Sequence, residues 1–278
     1  MAKLCDDSRF AVAVQVAADA RTFMTLPDSI LLFFAALAAG IQNSIAGGGT
    51  FFSFPALIFS GVPPIQANAT STIALWPGLV ASAGAYRKKL PTNARILTSL
   101  CLVSTVGGYF GAHLLLHTSQ RTFMRLIPFL FLGATLLFAF GKKKGSRSLH
   151  AEETGKPSWT ALAGVSAVQF AIAVYGGFFG GGIGILMLAF LTFLPLGDIH
   201  STNALKTVLA AMINLVAVIA FIVARIVYWP QAVVMLAGAT LGGYAGAHFA
   251  QKVNPAHVRT FIVCVGFAMS FYFLYLYH

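Results

Sequence analysis

Gly47, Gly48 and Gly49 in AGGGT (46–50), and Gly180, Gly181 and Gly182 in YGGFFGGGIG (175–184), interrupt two long apolar runs. Glycine unwinds a helix, and unwinding frees backbone N–H groups. The positive end of the half-helix that follows then favours an anion. Polar residues follow each triplet. QANATSTIALWPG (66–78) supplies Asn68, Thr70 and Ser71, with Thr72 beside them. STNALKTVLAAMIN (201–214) supplies Asn203, Lys206 and Thr207, with Asn214 further on. Asn43, one turn before the first triplet, and Tyr175, at the start of the second glycine stretch, complete the candidate binding set.

Lys206 stands out. An ammonium at the centre of a membrane helix costs at least about 2.5–3.5 kcal/mol. Either it snorkels to an interface, or it is a counter-charge for an anionic substrate, helped by neighbouring hydroxyl and amide groups. Its counterpart in the first polar stretch is Ser71, so internal symmetry does not demand a lysine there.

Catalysis finds little support. No GxSxG, HExxH, Walker A or GxGxxG pattern occurs, and an intramembrane aspartyl enzyme would need two buried acids. Of seven acids, six lie in the tail or a loop, and only Asp198 follows residue 153. Cys5, Cys101 and Cys264 have no metal or redox spacing, so no metal site or cofactor is expected. His200 beside Asp198 could take part in protonation. His113 and His248 read as interfacial residues at segment ends.

These residues must be positioned by membrane helices. Apolar residues make up 58% of the 278 and charged residues only 9%, against about 25% charged in a soluble globule. Apolar runs of about 20 residues predict helices rather than the alternating ten-residue strands of a barrel. They fall near 29–60, 67–86, 94–116, 122–140, 159–194, 201–224, 230–250 and 258–277. The first and fifth exceed one span, so each reads as a glycine-broken helix, tolerated at depth only inside protein or beside water. The net charge of +11 fits basic loops facing anionic lipid. Nucleic-acid binding would need a basic domain outside the membrane, for which there is no room.

The chain is duplicated. GGYFGAH (107–113) recurs as GGYAGAH (242–248), and Asn68-Ala69 as Asn203-Ala204, both 135 residues on; the triplets are 133 apart. The expectation is an all-α polytopic membrane protein with about eight transmembrane helices in two four-helix repeats. Residues 1–28 form an interfacial or disordered tail, 29–140 repeat 1, 141–158 a cytoplasmic loop and 159–278 repeat 2. The GxxxG glycines Gly107, Gly111, Gly242 and Gly246 read as helix-packing sites.

If every segment crosses once, 13 Lys and Arg share the side of both termini and four lie opposite. That bias predicts cytoplasmic termini. If the two broken segments are re-entrant hairpins instead, the halves are inverted and the distribution becomes 6 to 12. The larger bias favours eight crossings.

At residues 46–78 and 175–218 the chain resembles the TauE/SafE sulfite-exporter family, and the likeness covers roughly 29–277. The resemblance implies duplicated four-helix units and transport of sulfur-containing anions, such as sulfite or organosulfonates, across the bacterial cytoplasmic membrane. The expected function is a permease for a small oxyanion, exposing a site between the repeats alternately to each side. An anion channel, or a membrane assembly or maturation factor, are the alternatives. The expected partners are the anionic substrate and the lipid bilayer, with a homo-oligomer left open.

Overall fold

The computed structural model describes residues 24–45, 47–85, 87, 90, 94–140, 159–191, 199–249 and 255–277. Residues 1–23 of the tail and the 141–158 loop lie outside this set. All regular structure among the described residues is helical. The first repeat contains α1 (Leu26–Ile45), α2 (Thr50–Phe59), α3 (Pro64–Ala85), α4 (Ala94–Leu116) and α5 (Gln120–Phe140). The second contains α6 (Trp159–Phe178), α7 (Ile183–Leu191), α8 (Ile199–Val223), α9 (Trp229–Phe249) and α10 (Pro255–Tyr277). Pro64 and Pro255 occupy the first position of their helices, where the missing N–H costs nothing.

Three helices are long and apolar enough to cross a bilayer on those criteria alone: Leu26–Ser44, Arg95–Leu116 and Ser201–Val223. Large apolar side chains point outward along most of the bundle, among them Phe34, Phe110, Leu241 and Phe271. In water such a surface would drive association; in a bilayer it faces lipid.

Helix packing exchanges partners between repeats. α1 packs on α9 and α6 on α4, while α3 packs on both α8 and α9 and α8 on α4. This is the pattern of a pseudo-two-fold axis between intertwined halves. The GxxxG glycines provide the close contacts. Gly242 lies against the backbone of Leu37 and Gly246 against Ile41; in the other pair, Gly107 meets Phe170 and Ala173, and Gly111 meets Val174. Residue numbers rise together in both pairs, so α1 runs parallel to α9 and α4 parallel to α6.

The first broken helix departs from its expected path. The Tyr228 N–H donates to Thr70 Oγ1 at 3.1 Å, and Gly78 faces Ala239. α3 therefore runs parallel to α9, and hence to α1. Had α1 and α2 together made one crossing, α3 would run opposite to α1. Instead the chain reverses at the triplet: Gly49 sits against the Ala39 carbonyl, and Ser53 on α2 hydrogen-bonds Ser71 on α3 at 2.6 Å. α1 and α2 form a helical hairpin, and α3 then departs from the side on which α2 ends. In the second repeat α7 contacts α6 across the second break, and the duplication implies the same hairpin there.

A cluster of phenylalanines holds the first hairpin in place. Phe54 on α2 is fully buried, with ring centroids 5.8 Å from Phe131 and from Phe179, and 6.0 Å from Phe273. Phe131 and Phe273 belong to α5 and α10, and Phe179 begins the second break. Edge-to-face packing of these rings fixes the two breaks relative to one another.

Candidate functional site

Both breaks depend on backbone that only glycine adopts easily. Gly47 and Gly48 have φ of 83° and 94°; Gly180 and Gly182 have 73° and 74°. A side chain on each hairpin ties its loop. Asn43 Oδ1 accepts the Gly49 N–H at 2.7 Å, and Gln42 Nε2 donates to the Gly47 carbonyl at 2.9 Å. In the second hairpin Tyr175 OH donates to the Gly181 carbonyl at 2.6 Å. Gln42 and Tyr175 are 133 residues apart, the triplet offset, so they do equivalent work. The breaks touch: a Cβ on Gly47 would stand 3.0 Å from the Gly184 Cα.

Between the hairpins and the crossing of α3 with α8 lies a small cavity, part of it open outward. Its wall comes from both repeats. Gly47 and Gly180, Thr50 and Ile183, Thr72 and Thr207, Leu75 and Ala210, and Leu79 and Asn214 are all repeat-equivalent pairs. The cavity therefore straddles the pseudo-two-fold axis. Gly48 and Gly184 add backbone to the wall, and Asn43 and Lys206 are the members that break the symmetry.

Lys206 decides the electrostatics. It is only 5% exposed, lines the cavity, and has no hydrogen-bond or ion-pair partner among the described residues. Asp28, the one acid among those residues, is engaged with Thr25 at 2.6 Å. Asp198, eight residues before Lys206, lies outside the described set, as does the His200 side chain. Donors near the ammonium's cavity include the N–H groups of Gly48, Thr50 and Gly184, none with a protein acceptor among the described residues. They lie where α2 and α7 begin, so the positive ends of two half-helices face the same space.

Of the residues singled out in the sequence, Asn43, Gly47, Gly48, Gly180, Lys206 and Thr207 line this cavity. The remainder lie outside this lining. Asn68 Nδ2 donates to the Phe178 carbonyl at 3.1 Å, bracing the end of α6 against α3. Thr70 accepts the Tyr228 N–H and Ser71 pairs with Ser53, both away from the cavity. The Asn203 carbonyl accepts from Thr207 at 2.8 Å, as that of Asn68 does from Thr72. Gly49, Gly181 and Gly182 shape the loops, and Tyr175 fastens one of them. His113 is exposed and stacks on His117, remote from the site. The candidate set omitted Thr72 and Asn214, and also Thr50 and Gly184. A signal for two of them exists in the sequence. Residues 72, 75 and 79 and residues 207, 210 and 214 share one helical face and one repeat offset.

A family model described as "Sulfite exporter TauE/SafE" matches residues 32–273. The chain belongs to the TauE/SafE family. Among its TauE/SafE-like relatives is a "Probable membrane transporter protein" of Haemophilus influenzae, 28% identical over 241 residues, covering 86% of this chain and 92% of that one. "Probable membrane transporter protein YfcA" of Escherichia coli K12 is 31% identical over 257 residues, covering 91% and 92%. "Probable membrane transporter protein ORF9" of a Sinorhizobium species is 29% identical over 243 residues, covering 86% and 89%. No solved structure matches the chain. The TauE/SafE assignment and the apolar helices make this a multi-pass membrane protein of a transporter family.

Proposed function

We propose that this protein is a permease for small anions, with sulfur-containing oxyanions such as sulfite or organosulfonates as its substrate class. The observation that carries this reading is the Lys206 ammonium, without a partner among the described residues, in a cavity that also receives two half-helix N-termini. A buried cation without a carboxylate is stable only when water, carbonyls or an anion satisfies it. The N–H groups of Gly48, Thr50 and Gly184, without an acceptor among the described residues, are donors that serve an anion. The inverted, intertwined repeats support alternating exposure of this site to the two sides of the membrane.

In the bilayer we place six crossing helices and two re-entrant hairpins. α2, with ten residues, rises about 15 Å, half of a core of about 30 Å. Its start therefore lies near mid-depth. The hairpin path reassigns the basic loops: 12 of the 18 Lys and Arg, including those in the 86–93, 141–158 and 250–254 segments, now share one side. The positive-inside rule makes that side cytoplasmic. The turns at 117–119 and 224–228, and with them the end of α10, then face outward across the bacterial inner membrane. Cytoplasmic termini followed from eight crossings; the six crossings proposed here would put both termini outside.

A thermal-shift screen of the purified protein tests the substrate class. A ligand at 100 times its Kd stabilises the folded state by about 2.7 kcal/mol. Sulfite or an alkylsulfonate should raise the melting temperature above that in chloride at equal ionic strength. Identical melting in chloride, sulfite, sulfate, thiosulfate and sulfonates would overturn the proposal.

A further inference from the structure

The two repeats differ at the space beside the central cavity. In the first repeat, a narrow cleft lies between α1, α3 and α9. It shares Asn43 and Leu75 with the central one and continues past Ser44, Gly78 and Ser82 toward the C-terminal end of α3. In the second repeat the corresponding cleft, between α6, α8 and α4, is filled. Gly78 is replaced there by Ile213, and Asn43 by Gly176, whose vacated space the side chains of Ile183 and Ile213 occupy. A Cβ on Gly243 would find nothing nearer than Ser44 Oγ at 3.9 Å, whereas one on its equivalent, Gly108, would meet Ile213 at 3.0 Å.

We infer that the cleft between α1, α3 and α9 is the substrate's route between the central cavity and the side of the 86–93 loop, with Asn43 and Leu75 at its threshold and Ile213 closing the matching route opposite. This rests on the reading of the central cavity as an anion site. The route suits an anion because its polar members carry hydroxyl and amide groups and no carboxylate. Its glycines leave the width that an aliphatic side chain would take. Inverted repeats generate two such clefts, and alternating exposure requires one to be shut while the other is open. The glycine-to-isoleucine exchange supplies that difference in side-chain volume.

Two variants test the route in proteoliposomes and in detergent. Gly78→Ile places the blocking side chain of the second repeat into the first; the nearest atom to a Cβ there is Ala239 O at 3.9 Å. Sulfite flux should fall by at least about tenfold while binding in detergent stays within about twofold. In a background without native cysteines, Ser82→Cys should transport until a charged methanethiosulfonate modifies it, and bound sulfite should not be required for that reaction. Full flux through both Gly78→Ile and modified Ser82→Cys, with wild-type binding intact, would eliminate this route alone. Absence of sulfite and sulfonate binding by wild type would instead remove the anion site, and the route with it.

Discussion

Lys206→Met should weaken sulfite or alkylsulfonate binding by roughly 10- to 150-fold. That range corresponds to the loss of one desolvated charge-assisted hydrogen bond, about 1.5–3 kcal/mol. The expectation follows from burial and isolation together. Lys206 is 5% exposed and has no partner among the described residues, and under the proposed function the substrate supplies its counter-charge. Methionine preserves the length and packing of the side chain while removing the charge. Lys206→Arg should retain part of the affinity, because the charge survives and the geometry changes. The measurement is a binding isotherm in detergent at constant ionic strength, since salt screens an exposed lysine far more than a buried one. Binding by Lys206→Met within about twofold of wild type would reduce Lys206 to a snorkelling residue.

The second large effect concerns topology and is all-or-none. Arg225 lies in the exposed turn between α8 and α9, with φ of 56°, so a cysteine there adds no new backbone strain. In a chain lacking Cys5, Cys101 and Cys264, an impermeant thiol reagent applied to intact cells should label Arg225→Cys and miss Arg147→Cys. With eight crossings both positions share the cytoplasmic side and neither is labelled. Six crossings and two hairpins put them on opposite faces. Absence of labelling at 225, with labelling restored after permeabilisation, would return the second pair, α6 and α7, to a single broken crossing.

Much of this arrangement was legible in the residues. The duplication showed in GGYFGAH and GGYAGAH, and those glycines pack helices as their spacing implied. The triplets marked both breaks, because four of their six glycines hold positive φ. The direction of the chain after each break was not legible. An apolar run with glycines in its middle has the same composition whether it continues or folds back. Only a tertiary contact, such as that of Thr70 with Tyr228, separates the two. Charge counting pointed the other way because it added the three basic residues of the tail to loops that the hairpin path places opposite them.

The lining of the central cavity was legible only in part for a related reason. Asn68, Thr70 and Ser71 are polar and helical, like true cavity residues, yet they brace α6, α9 and α2. Consecutive positions on a helix face different directions, and the sequence alone does not say which direction is the cavity. Thr72 and Thr207 share a face with Leu75 and Ala210, and the repeat offset ties them together. Their apolar neighbours gave no reason to prefer that face.

The central claim is that an anion crosses the membrane by occupying the cavity between the hairpins. Sulfite flux in proteoliposomes containing the purified protein tests it most directly, measured over a range of sulfite concentrations at fixed ionic strength. Flux should saturate with sulfite, fall when an alkylsulfonate competes, and be lost with Lys206→Met. Flux no greater than in protein-free liposomes, for sulfite and sulfonates alike, would contradict it.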